Sequence, residues 1–313
     1  MPNKLPSFYS LSSEVARAVA MELPLVALES TVITHGLPFP ENLQLAQDME
    51  SEVRAVGAVP ATIAVLNGKV CAGLSQVQLE RLASQAKDGV LLKISSRDFA
   101  PALSRRLSGG TTVAATLAAA HMVGMRIFAT GGIGGVHRGA PFDVSADLEY
   151  LARTPMVVVC AGAKAILDLP ATLERLETLG VPVIGYQTDE FPAFYSRRSG
   201  LRTSGRADTP EEAATIARNH WEMGFQSAVL VTLPIPEDLE MSRETVDGAI
   251  QQALEEAQAQ DVRGQRVTPF LLEKVSQLTK GASMRANLAL LVNNAHLAGM
   301  IARYLYRSPK PLV

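Results

Sequence analysis

Lys164 is the only charged residue between Arg153 and Asp168. It follows an apolar run at 156–160, from which Ala161-Gly162-Ala163 separates it. An amine among apolar atoms sheds its proton more readily, because desolvation disfavours the ammonium form. The neutral amine can then attack a carbonyl carbon and form a Schiff base. Glu29 is the first acid after another apolar run, 25–28. A carboxyl so placed is suited to carry a proton as a general acid. Gly109-Gly110-Thr111-Thr112-Val113 opens a stretch with helical spacing. Free amides at a helix N-terminus suit a phosphate, and Lys93 could add a point charge beside it. Asp143 and Asp147 stand four residues apart near His137, carboxylates that suit Mg²⁺ or Mn²⁺. Plainer uses stay open for each group. The lysine stem can pack while its head reaches water. Glu29 can cap a helix or pair with a cation, Gly-Gly-Thr-Thr can be a turn, and Asp147 can be first-turn acidity.

These residues need elements to hold them. Runs at 25–28, 62–66, 90–92, 127–129, 156–160, 181–184 and 228–233 are short, rich in Val and Ile, and bounded by Gly, Pro or polar residues. They read as strands, and continuous apolarity predicts burial on both faces. Helical spacing is found at 41–56, 112–123, 171–179, 242–260, 269–278 and 283–303. Thr209-Pro210-Glu211-Glu212 is a capping box with Pro at the first helical position. Asn67-Gly68 between apolar runs signals a hairpin. The alternation implies an α/β chain, a layered α/β/α arrangement with a mostly parallel mixed sheet and C-terminal helices. Residues 1–313 read as a single domain. In such sheets ligands sit beyond the strands' carboxyl ends, which singles out Glu29, Lys93, 130–135, 162–164 and 187–189.

Composition removes several function classes. Charged residues make up 19 % of the chain, below the usual quarter or so, so either the surface is short of charge or a large part of it is covered. Net charge is −2 with no basic run, which leaves out a nucleic-acid polymer. The longest uncharged stretch, 107–125, is too polar to span a membrane. The N-terminus has no secretory pattern. Cys71 and Cys160 read as free thiols of a reducing cytoplasm. The glycines at 131–135 miss the dinucleotide fingerprint, because His137 stands where a Gly is required. P-loop, zinc-protease and nucleophile-elbow motifs are absent.

Together the segments resemble the pseudouridine-5′-phosphate glycosidase family over nearly the whole chain. The resemblance rests on ALESTVITHGLP (27–38), NGKVCAGLS (67–75), GGTTVAAT (109–116), FATGGIGGVHRGA (128–140), FDVSADL (142–148), VVCAGAKAILDL (158–169), GVPVIGYQTDEFPAF (180–194), TPFLL (268–272) and NLALLVNNA (287–295). The segment at 140–142 is shorter than the family pattern. The resemblance implies reversible cleavage of the C–C glycosidic bond of pseudouridine 5′-phosphate to uracil and ribose 5-phosphate. Lys164 would be the nucleophile, forming an imine with C1′, and Glu29 the proton donor. Asp143 would hold Mn²⁺, one per subunit, largely through water. Lys93, Val113, Ser145, Ala146 and Asp147 would bind substrate, and His137 and Asn287 would make polar contacts to it. A cytoplasmic homotrimer is also implied, whose interfaces would cover part of the charge-poor surface. Two other readings remain: a lysine-imine aldolase or lyase on another sugar phosphate, and a non-catalytic sugar-phosphate-binding protein.

Overall fold

A computed structural model describes residues 5–262, 264 and 267–306. The main sheet runs Tyr9–Leu11, Lys69–Ala72, Val59–Leu66, Leu25–Leu28, Ile127–Ala129, Val157–Cys160, Val229–Thr232, Val183–Tyr186, Gly205–Ala207. Two further short strands, Gly109–Thr111 and Leu92–Ile94, branch from Val59–Leu66. Neighbours are parallel except where Val59–Leu66 meets Lys69–Ala72 and Gly109–Thr111. The chain is therefore an α/β layered protein with a mostly parallel mixed sheet.

The central strands Leu25–Leu28, Ile127–Ala129, Val157–Cys160 and Val229–Thr232 are buried at every position. That is the consequence of helices covering both faces, and it explains their unbroken apolarity. Ala282–Leu305 packs on the first three of these strands and on the helices Glu41–Ala55 and Pro210–Glu222. The helix Val113–Val123 packs on Leu25–Leu28, Val59–Leu66 and Lys69–Ala72. It is apolar almost all round, as a helix sunk in the core must be.

Local signals hold where they are chemically specific. Asn67 and Gly68 adopt positive φ, 49° and 73°, and join two antiparallel strands with Leu66 opposite Lys69. Thr209 and Glu212 close the capping box that starts Pro210–Glu222. The run expected at 90–92 needs correction. The strand is Leu92–Ile94, Val90 is exposed, and Lys93 lies inside the strand opposite Gly110 rather than after it. The Gly109-Gly110-Thr111 segment is that strand's parallel partner. The glycines at 131–135 lead into a separate antiparallel sheet of Val136–His137, Ala140–Val144 and Leu167–Asp168. Cys71 and Cys160 are buried free thiols. Among the described residues no helix is long and apolar enough to cross a membrane.

Candidate active site

Three adjacent parallel strands deliver the site. Glu29 follows Leu25–Leu28, Thr130 follows Ile127–Ala129, and the turn bearing Lys164 follows Val157–Cys160. Glu29, Lys93, Lys164 and Asn287 line one cavity of ≈ 530 Å³ including its mouth. Thr31, His35 and Phe194 complete much of the wall, with Thr268 and Pro269 from the penultimate helix. Asn287 comes from the last helix, Ala282–Leu305.

Glu29 is 6 % exposed and accepts a hydrogen bond from the Thr130 hydroxyl. Burial raises its pKa, and Asp147 adds to the rise; Lys164, the Thr130 hydrogen bond and Lys93 oppose it without cancelling it. Thr130 is itself held, because Asn294 Nδ2 donates to its carbonyl at 2.8 Å. Lys93 has a lowered pKa, first from burial and then from the Lys164 charge, with Asp147 and Glu29 partly restoring it. His35 sits on a single wide helical turn, Val32–Gly36, and hydrogen-bonds Thr34 Oγ1 at 2.7 Å. Burial lowers its pKa, and Lys93 lowers it further. It therefore stands as a neutral ring beside the two lysines. Thr31 Oγ1 is buried in the cavity wall with no partner among the described residues. Such a hydroxyl is free to bond a ligand.

The remaining sequence candidates divide into two places. Asp147 is buried, and both its oxygens are engaged: Oδ1 accepts from the Ala114 amide at 2.9 Å and Oδ2 from Gly134 at 2.8 Å. It lies close enough to act on Glu29 and Lys93 by charge. Ala146 starts the helix Ala146–Leu151, Ser145 caps it, and Val113 is buried at the first turn of Val113–Val123. One amide of the expected phosphate cradle, that of Ala114, is thus already taken by a carboxylate. Asp143 sits on the exposed strand Ala140–Val144 and is 59 % exposed, with His137 Nδ1 at 3.4 Å. The two carboxylates do not converge, because one ends a solvent-facing hairpin while the other turns inward. Among the described residues no three His, Cys, Asp or Glu side chains form a metal cluster. Asp143 with His137 nearby suits only a cation that keeps most of its water. Asp189 pairs with Arg206 outside the cavity.

Sequence reasoning missed His35, Phe194, Thr268, Pro269 and Asn294 as individuals. All lie within the motif segments quoted above, so the signal was there without the roles. The glycines are packing devices. A Cβ on Gly134 would meet Asp147 Oδ2 at 2.7 Å, and Gly162 has φ +87° with the Pro192 carbonyl 2.5 Å from where its Cβ would be.

The fold and the cavity define an α/β protein with a lysine and a buried glutamate of raised pKa beyond the carboxyl ends of two parallel strands that flank a third. Residues 14–304 match the family model described as indigoidine synthase A like protein. A protein of Paracoccus denitrificans named pseudouridine-5′-phosphate glycosidase is 53 % identical over 300 residues, 95 % of this chain and 98 % of its own. One of Caldanaerobacter subterraneus with the same name is 49 % identical over 297 residues, 94 % and 96 % of the two chains. The crystal structure of the prealnumycin C-glycosynthase AlnA in complex with ribulose 5-phosphate superposes with TM-score 0.88 at 38 % identity, covering 96 % of this chain and 98 % of that one. An indigoidine synthase A-like protein of Thermotoga maritima gives TM-score 0.88 at 36 % identity, covering 97 % and 99 %. The chain belongs to the pseudouridine-5′-phosphate glycosidase family.

Proposed function

We propose that this protein cleaves pseudouridine 5′-phosphate, with water, to uracil and ribose 5-phosphate, and that Lys164 is its nucleophile. The observation that carries the reading is a lysine sharing one cavity with a buried glutamate of raised pKa. A carbon leaving group is harder to expel than the oxygen or nitrogen of ordinary glycosides. The lysine solves this. Lys164 Nζ bonds to C1′ as the C1′–O4′ bond breaks, and O4′ takes a proton. C5 of uracil is then protonated, the C1′–C5 bond breaks, and the nitrogen lone pair forms the C1′=N iminium. Water hydrolyses the iminium, freeing the amine and the aldehyde of ribose 5-phosphate. Glu29, whose pKa burial raises above the ordinary carboxylate range, is the donor to O4′ or C5, and the proton that Nζ gives up after bonding to C1′ supplies the other.

Lys93 and Val113 are assigned to the phosphate end, Ser145, Ala146 and Asp147 to substrate binding, and Asn287 and His137 to polar substrate contacts. Lys93 and Lys164, two lysines in one cavity, favour an anionic ligand. Asp143 would hold one Mn²⁺ per subunit with water in the other positions, where the ion would supply positive charge toward substrate oxygens. The family neighbour named a C-glycosynthase supports testing the reverse, bond-forming direction with uracil and ribose 5-phosphate. We place the protein in the cytoplasm as a homotrimer; its exposed apolar side chains support contact with another chain.

The test is uracil release from pseudouridine 5′-phosphate, with and without Mn²⁺, beside Lys164→Ala. Release by the native protein and a loss of about 10⁴-fold or more in the variant are expected. Borohydride with ribose 5-phosphate should trap an adduct on Lys164. An active preparation whose Lys164 peptide stays unmodified would sink the imine; sugar-phosphate binding without turnover would favour a binding protein.

A further inference from the structure

We infer that Arg138 is a positioning residue for Lys164, holding the backbone turn that aims the amine. The inference rests on the reading of Lys164 as nucleophile. The turn itself is short and well determined on its upstream side. Lys164 N–H donates to the Ile133 carbonyl at 3.1 Å, and Ile133 N–H donates to Gly162 at 3.0 Å. Leu167 N–H closes the turn onto the Lys164 carbonyl at 2.9 Å.

On the downstream side a guanidinium adds to the strand pairing of Leu167 with His137. Arg138 Nη2 donates to the Ala165 carbonyl at 2.9 Å, and Nε donates to the Leu167 carbonyl at 3.1 Å. Ala165 and Leu167 are buried residues at the edge of a second cavity that Arg138 also lines, so without this donor the two carbonyls would turn to water and lose a fixed partner. Arg138 is fixed in turn. Its neighbour His137 pairs with Leu167 in the small antiparallel sheet. Its Nη2 also reaches Asp247 Oδ1 at 3.4 Å, on the helix Arg243–Ala259, where Arg243 Nε approaches the other oxygen at 3.5 Å. The arrangement needs arginine: a planar fork serves two carbonyls in fixed directions, whereas an ammonium is a single point on a flexible stem.

The lysine turn thus has its backbone clamped from both sides while its side chain enters the cavity. Attack on C1′ requires the reacting atoms to approach within about 3–3.5 Å in line, and a displacement of about 1 Å from a remote change costs about 10²-fold. Arg138 touches no reacting atom in this scheme, so its loss should slow imine formation without weakening the non-covalent hold on the sugar phosphate.

The experiment uses the full-length protein with Arg138→Ala and Arg138→Lys. Three quantities are measured: the rate of borohydride-trapped adduct formation with ribose 5-phosphate, kcat and KM for uracil release, and Kd for ribitol 5-phosphate, which has no carbonyl to form an imine. Adduct rate and kcat should fall together by about 10²-fold in Arg138→Ala, with Kd for ribitol 5-phosphate within about twofold. Arg138→Lys should recover only part of the loss, and free guanidinium ion should partly rescue Arg138→Ala. Should Arg138→Ala fail to fold, Arg138→Lys carries the same comparison. Unchanged adduct rates, or a fall matched by an equal rise in Kd, would overturn the inference. A native protein that yields no adduct instead removes the nucleophile reading, and this inference with it.

Discussion

Glu29 is where burial and charge compete most openly. Lys164, Lys93 and the Thr130 hydroxyl favour its carboxylate, yet desolvation wins and the pKa rises. The sign of the stability effect follows. In the unfolded chain the group titrates near 4.5. Between that value and the raised folded value the native state binds more protons than the unfolded state, so stability falls as pH rises through this window and is level beyond it. Glu29→Gln removes the titration while keeping an acceptor for Thr130. Denaturant unfolding across pH 4.5–8 should show the variant gaining on the native protein as pH rises, by about 1.4 kcal/mol for each unit by which the pKa is raised. Activity should drop by about 10²- to 10⁴-fold, because an amide donates no proton of comparable acidity. A constant stability difference across the window would mean that Glu29 is not held up by burial.

Asp147 works at the scale of elements. Its two oxygens join the first turn of Val113–Val123 to the glycine segment that follows Ile127–Ala129. The same carboxylate brings negative charge to the lysines, so it positions elements and tunes the cavity at once. Asp147→Asn sets an NH₂ donor against one of two backbone N–H donors. It should destabilise by about 2–3 kcal/mol, read as a shift in urea midpoint at unchanged slope. Hydrogen exchange should show the Ala114 and Gly134 amides opening first. The sequence made the local parts of this scaffold legible: the Asn67-Gly68 hairpin and the Thr209 capping box depend on neighbouring residues only, and the buried central strands show as unbroken apolar runs. Lys93 was misplaced because its strand is three residues long and exists by pairing with Gly109–Thr111, which local apolarity does not report. Glu29 and Lys164 were legible as lone charges after apolar runs. Their meeting with Thr268, Pro269 and Asn287 was not, since those arrive from helices more than a hundred residues downstream. Asp147 reads from the sequence as a metal carboxylate, as first-turn acidity or, through the resemblance, as a substrate-binding residue, and its backbone partners are separated from it by 33 and 13 residues.

The whole molecule accounts for its scarcity of charge only in part. A sheet buried on both faces consumes apolar residues without alternation, and one cluster of buried side chains extends from Val15 to Leu305. The surface nonetheless keeps Phe142, Met122, Met223 and Phe225 in the open, with Phe142 99 % exposed at the hairpin that carries Asp143. Fully burying one such side chain is worth about 1.5–3 kcal/mol, so covering several of them rewards assembly. The proposed trimer provides that cover, and its mass is distinctive: three chains of 33.4 kDa give about 100 kDa. Light scattering after gel filtration at micromolar concentration should report that value. Phe142→Asp places a charge where the hairpin offers its most exposed apolar surface. If this hairpin lies in the contact, the variant should dissociate at concentrations where the native protein does not, and its affinity for Mn²⁺ at the adjacent Asp143 should change in parallel. A native protein that runs as a stable, active monomer of 33.4 kDa would assign the whole shortfall of charge to the buried sheet and leave the exposed aromatics without a partner copy.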